Sequence, residues 1–104
     1  MDKSEALKKV ELFIKAVVGE YNPAQIILFG SFARGTQNDN SDIDIAVVVD
    51  KIEGSFLDKE ARLYTLRRNI DASIEPILLE TAADASGFLE EILSYGEVIY
   101  TKSA

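Results

Sequence analysis

The stretch Asp42-Ile43-Asp44-Ile45-Ala46-Val47-Val48-Val49 limits what this chain can fold into more than any other part of it. β-Branched side chains dominate it; they are stiff at χ1 and pack best on a pleated surface, so the stretch reads as a strand. Its first half alternates, with Asp42 and Asp44 on one face and Ile43 and Ile45 on the other. Its second half is apolar on both faces. A strand of that kind must be covered on both sides, which places it in the interior of a sheet.

Other elements gather around it. Ser4 is placed to cap a first helix over about residues 5–19, with Leu7, Val10, Ile14 and Val17 on one face and Gly19 and Asn22-Pro23 as stops. Gln25 to Phe29 is a short apolar strand. Gly30-Ser31 turns the chain, residues 32–35 make a turn or two of helix, and Thr36 to Ser41 is a polar loop. After a loop at 50–55, a second long helix is expected over about 57–69. There Leu57, Ala61, Tyr64 and Leu66 point inward and Arg62, Arg67 and Arg68 form a solvated face. A third strand spans roughly 71–79; Pro76 lacks a ladder donor and argues for an edge or a bulge. A last helix over about 83–94 packs through Phe88, Leu89, Ile92 and Leu93, and Val98-Ile99-Tyr100 adds a short strand after Gly96. Tyr64, Phe88 and Tyr95 read as core aromatics. The order predicts an α+β domain, a small mixed β-sheet packed with helices.

With 104 residues, positions 1–104 fit one domain with no room for a second substrate-binding domain. No apolar run approaches the roughly 20 residues of a membrane span, so no membrane association is expected. Met1-Asp2-Lys3-Ser4-Glu5 lacks the order of a signal peptide, which suits a cytoplasmic protein. The absence of cysteine and histidine excludes thiol chemistry, a His-ligated zinc and a His base. A net charge of −7 disfavours direct nucleic acid binding and leaves room for a divalent cation or a basic protein partner.

Asp42 and Asp44 carry the chemistry. Carboxylates at alternate strand positions lie about 6–7 Å apart at the backbone, and they repel unless a cation sits between them. Mg²⁺ suits them, because it takes carboxylate oxygens and completes its shell with water and substrate phosphates. Upstream, Gly30 lets backbone approach a phosphate closely, and the Ser31 hydroxyl and nearby N–H groups can meet its oxygens. A phosphate cradle facing a metal platform is the equipment of phosphoryl or nucleotidyl transfer. Arg34 reads as a tether for the loop, with a triphosphate contact as the rival role; the 36–41 loop is either a lid or a connector.

Gly30-Ser31, ten residues, then Asp42-Ile43-Asp44 resembles the G-S-x(10)-D-x-D motif of the DNA polymerase β-like nucleotidyltransferase superfamily, and GSFARGTQNDNSDIDIAVVV is similar to its minimal nucleotidyltransferase branch. The resemblance implies Asp42 and Asp44 as metal ligands, and a third carboxylate on the strand after the second long helix. Glu75, in Ile74-Glu75-Pro76, is the choice for metal ligand or general base, with Asp71 in reserve. It implies Gly30 and Ser31 as the holders of the β,γ-phosphates of ATP, and one or two Mg²⁺ ions. In this reading an acceptor hydroxyl attacks the α-phosphate and pyrophosphate leaves. Since the chain has no acceptor domain, a second protein must hold the acceptor or be it. The likeness extends to the antitoxin half of HEPN/minimal-nucleotidyltransferase pairs, which implies a type VII-like antitoxin that transfers AMP to a tyrosine of a HEPN toxin within a hetero-oligomer. The alternatives are an antitoxin that neutralises by binding alone, and a small-molecule (antibiotic) nucleotidyltransferase.

Overall fold

The computed structural model describes residues 1–83 and 87–103. In chain order these form α1 (Lys3–Tyr21), β1 (Gln25–Phe29), α2 (Gly30–Arg34), β2 (Ile43–Val49), α3 (Phe56–Arg67), β3 (Ile74–Glu80), a 3₁₀ turn (Thr81–Ala83), α4 (Phe88–Tyr95) and β4 (Glu97–Thr101). The strands make one mixed sheet in the order β3-β2-β1-β4. β1 is antiparallel to both β2 and β4, while β2 and β3 run parallel. Parallel neighbours need a crossover, and α3 supplies it.

β2 is interior, as its apolar second half requires, and Ile43, Ile45, Ala46, Val47 and Val48 have no exposed surface. Each such Val or Ile stabilises the fold by roughly 1.5–3 kcal/mol. The alternation sorts the strands into two cores. Ile26, Leu28, Ile43, Ile45, Val47, Ile74 and Leu78 pack with Val10, Phe13 and Val17 of α1 and Leu63 of α3. Ile27, Ala46 and Val48 face the other way, onto Ile92 of α4, with Phe29, Ile77, Leu79 and Phe88 beside them. Phe29 and Phe88 meet edge to face, their centroids 5.9 Å apart. Pro76 sits on the edge strand β3, where its missing N–H costs no ladder bond. The free edge of β3 is blunted by Glu60 of α3, whose Oε2 accepts from Leu78 N–H at 3.0 Å.

Several expected details differ. Asp2, not Ser4, caps α1, accepting from Glu5 N–H at 2.8 Å and moving the helix start forward. α1 buries Ala6 and Phe13 with Val10 and Val17, while Leu7 and Ile14 lie at the margin. On α3 the inward residue is Leu63; Leu57 is 75 % exposed, and Ala61 and Tyr64 also face solvent. The apolar side chains of this helix are sparse, so their spacing alone does not locate its buried face. Arg62 lies on the solvent side as expected, and from there it forks onto Glu20 through Nε and Nη2 and ties α3 to the end of α1. Tyr21 adds to that seam by donating to Lys59 O at 2.6 Å. The expected last helix begins later, at Phe88, and residues 84–86 lie outside the described residues. No described helix is long and apolar enough to cross a membrane.

Candidate active site at the end of the sheet

β1 ends at Phe29, where the β1–β2 register sets Phe29 opposite Asp44; the parallel register sets Asp44 opposite Glu75. Three neighbouring strands therefore bring the Gly30-Ser31 turn, Asp44 and Glu75 to one end of the sheet. Asp44 shares its parity with Ala46 and Val48, and Glu75 shares its own with Ile77 and Leu79, so both carboxylates lie on the α4 face. Asp42 keeps that parity one step before β2 and is exposed.

The proximity has an electrostatic consequence. The Asp44 carboxyl is held above the ordinary carboxylate range, first by partial burial, then by the charge of Asp42, then by that of Glu75. Gly30 makes this packing possible. It has φ +70°, and a Cβ added there would stand 2.9 Å from Asp44 Cγ and closer still to Oδ2. Only a residue without a side chain lets the turn lie against that carboxylate. Among the described residues no three acidic side chains already close on one point as a metal cage. Mg²⁺ does not require one, since one or two carboxylates with water and phosphate oxygens satisfy it. Hard oxygen donors, mutual repulsion and a glycine-lined approach fit a divalent cation.

Glu75 is steadied from α3: Tyr64 Oη donates to its Oε2 at 3.3 Å, and Arg67 Cζ stands 4.9 Å from the Tyr64 ring centroid. Tyr64 is thus no core aromatic but an arm reaching around the β3 edge. Asp71 points elsewhere. Lys9 pairs with it and Ser73 N–H donates to its Oδ1 at 2.7 Å, and together they pull its carboxyl down to about 2. It closes the turn before β3 and is committed there.

The turn itself holds a group that periodicity missed. Gly30 N–H donates to Tyr95 Oη at 3.2 Å, and Arg34 Cζ lies 3.7 Å from the Tyr95 ring centroid. Tyr95 is half-buried against α2 rather than in the core, and Arg34 is tethered by it. Gly30 thus meets Asp44 through its bare Cα while its N–H is engaged by Tyr95. A cleft of about 230 Å³ opens at the far end of β2, between Tyr21, Val49, Ile52, Lys59 and Leu78. It is remote from the carboxylates, and its mixed lining converges on no point.

A mixed sheet with a Gly-Ser turn facing strand carboxylates defines the nucleotidyltransferase class of α+β proteins. Residues 13–104 match the model of the family described as Polymerase beta, Nucleotidyltransferase, and the chain belongs to that family. By that membership it is a nucleotidyltransferase. Two proteins of Methanocaldococcus jannaschii bearing the name "Putative protein adenylyltransferase" resemble it. MJ0604 is 42 % identical over 104 residues, covering 96 % of this chain and all (100 %) of its own. MJ0141 is 34 % identical over 76 residues, covering 69 % and 74 %. Among solved structures, a chain assigned as a nucleotidyltransferase from Sulfolobus solfataricus shares the fold with a TM-score of 0.71 at 24 % identity, covering 96 % of this chain and 84 % of that one. A chain of a toxin–antitoxin solved with AMP-PNP does so with a TM-score of 0.57 at 19 % identity, covering 97 % and 74 %. A chain of a mutant MntA-HpeT toxin–antitoxin shares it with a TM-score of 0.61 at 22 % identity, covering 90 % and 71 %.

Proposed function

We propose that this chain is a Mg²⁺-dependent protein adenylyltransferase that moves AMP from ATP to a hydroxyl, a tyrosine of a HEPN-type toxin, and so acts as that toxin's antitoxin. The observation that carries the reading is the placement of Asp42, Asp44 and Glu75 at the same end of the sheet as the Gly30-Ser31 turn, with Asp44 pressed against the bare Cα of Gly30. The relatives' shared name supports transfer to protein. The fold's occurrence in toxin–antitoxin complexes, one with AMP-PNP, supports the nucleotide and the partner.

In this reading Asp42 and Asp44 hold the metal, and Glu75 completes its shell or takes the acceptor's proton. A bound divalent cation neutralises charge on the transferring and leaving phosphates. Ser31 holds the β,γ-phosphates and aligns the α-phosphate with the incoming hydroxyl, an arrangement whose worth lies in orientation. Glu75, kept in place by Tyr64, sits where it can accept that hydroxyl's proton. Residues 1–104 act as one catalytic domain, and the exposed Leu12, Leu57, Leu93 and Val98 offer apolar surface for a partner.

One assay tests this. The chain, Mg²⁺ and α-labelled ATP are incubated with the product of the adjacent gene, using wild type and Asp44→Asn. Label on a partner tyrosine in the wild type alone is the expected result. Neutralisation of the partner that persists in Asp44→Asn with no label in either case would overturn it and leave an antitoxin that works by binding.

A further inference from the structure

The amide that a Gly-Ser turn would offer first to a ligand is already engaged, by a residue far along the chain. Gly30 N–H donates to the Tyr95 hydroxyl oxygen at 3.2 Å. Tyr95 ends α4, and the glycine after it fixes its place. At Gly96 a Cβ would stand 2.5 Å from Ile92 O and 2.9 Å from both Ile27 Cγ2 and Leu28 O, so α4 is seated directly on β1. Gly96 N–H closes the helix on Ile92 O at 2.6 Å, and β4 then pairs Glu97 with Leu28 and Val98 with Ile27. The sheet itself therefore holds the phenol at the end of β1.

The same ring meets the other end of α2, where the Arg34 guanidinium lies over it at 3.7 Å. One side chain thus grips the first amide and the last side chain of a five-residue helix. A helix that short has no stability of its own and takes its orientation from its contacts. The turn it begins is left-handed at Gly30 and lies against Asp44.

We propose that Tyr95 is the positioning residue of the phosphate-binding turn, holding Gly30 and α2 so that Ser31 faces the phosphates of a nucleoside triphosphate beside Asp42 and Asp44. This rests on the nucleotidyltransferase reading above. Tyr95 touches neither nucleotide nor reacting atoms; it acts through Gly30.

The test uses Tyr95→Phe in the full chain, which removes the hydroxyl and leaves the ring for Arg34. Two quantities are measured: the affinity for a non-hydrolysable ATP analogue with Mg²⁺ by calorimetry, and amide hydrogen exchange without nucleotide. The expected result is a loss of about five- to tenfold in analogue affinity, the worth of one hydrogen bond, with faster exchange confined to Gly30 and its α2 neighbours. Unchanged affinity, unchanged exchange at Gly30, or exchange that quickens equally through β1 and β2 would overturn the proposal, the last by making Tyr95 a general support of the fold. A wild type that binds no analogue would instead sink the nucleotidyltransferase reading, and the role of Tyr95 with it.

Discussion

Gly30 and Gly35 form a natural pair of controls. Both have positive φ, +70° and +75°, and they stand at the two ends of α2. An alanine at either position bears the left-handed backbone cost, about 1–2 kcal/mol. At Gly35 that is the whole effect, because an added Cβ meets nothing within 4 Å. At Gly30 the Cβ falls on Asp44, 2.9 Å from its Cγ and 3.2 Å from its Cβ. The Asp44 side chain can swing away for about 0.5–1.5 kcal/mol of off-rotamer strain, so the two variants should differ in stability by only about 1 kcal/mol. For a domain of this size that is roughly 4–8 °C in melting temperature. On the proposed function the cost in activity is far larger, because the carboxylate leaves its place beside the turn, and a displacement near 1 Å costs about a hundredfold in rate. Gly35→Ala should keep AMP transfer near the wild-type rate, and Gly30→Ala should lose it by about a hundredfold or more while remaining folded. Thermal unfolding and label transfer measured on both variants decide the matter. A Gly30→Ala protein as active as Gly35→Ala would refute the claim that Asp44 works from its position against that glycine.

Two further outcomes come from the charges. Asp44 has a raised pKa, so its ionised form is disfavoured by folding, and its contribution to stability improves as pH falls through its folded value. Asp44→Asn should therefore melt higher than wild type at neutral pH, and should lose the stabilisation that added Mg²⁺ gives the wild type; a variant that melts lower, or gains as much from Mg²⁺, contradicts this. Asp71 has the opposite sign. Its carboxyl is lowered to about 2 by Lys9 and Ser73, so its stabilisation is present above about pH 4 and is lost as pH falls toward 2. Allowing for the partial exposure of Lys9, whose side chain is 35 % exposed, Asp71→Asn should cost about 1–2 kcal/mol at pH 7 and flatten the acid limb of a stability–pH curve, with the proposed AMP transfer retained.

The parts of this protein that were legible in its sequence are those governed by local periodicity. The span of β1 and the interior position of β2 follow from runs of apolar and β-branched residues that have few other solutions. The facing of Asp42 and Asp44 follows from the two-residue repeat of a strand. The edge position of β3 follows from one proline. The features that were not legible depend on pairs distant in the chain. Asp71 and Glu75 share a parity, and their alternation alone does not separate them. What distinguishes Asp71 in the structure is Lys9, on a helix more than sixty residues earlier, together with the Ser73 amide.

Tyr64 and Tyr95 make the same argument from the side of packing. An aromatic residue on a helix reads as core, because burial of a ring is usually its largest stabilising contribution. Both rings here lie at margins, and both commit their hydroxyl to the proposed site, Tyr64 to Glu75 and Tyr95 to Gly30. A sequence signal existed at Tyr95 alone: the Gly96 beside it does more than end a helix. Its missing side chain lets α4 touch β1, and that contact delivers the phenol to the turn. The glycines at 30 and 96 are thus two halves of one arrangement, one admitting Asp44 and the other admitting the helix that holds the first in place. It follows that a side chain at 96 should disturb AMP transfer through Tyr95 without altering any group that touches the nucleotide.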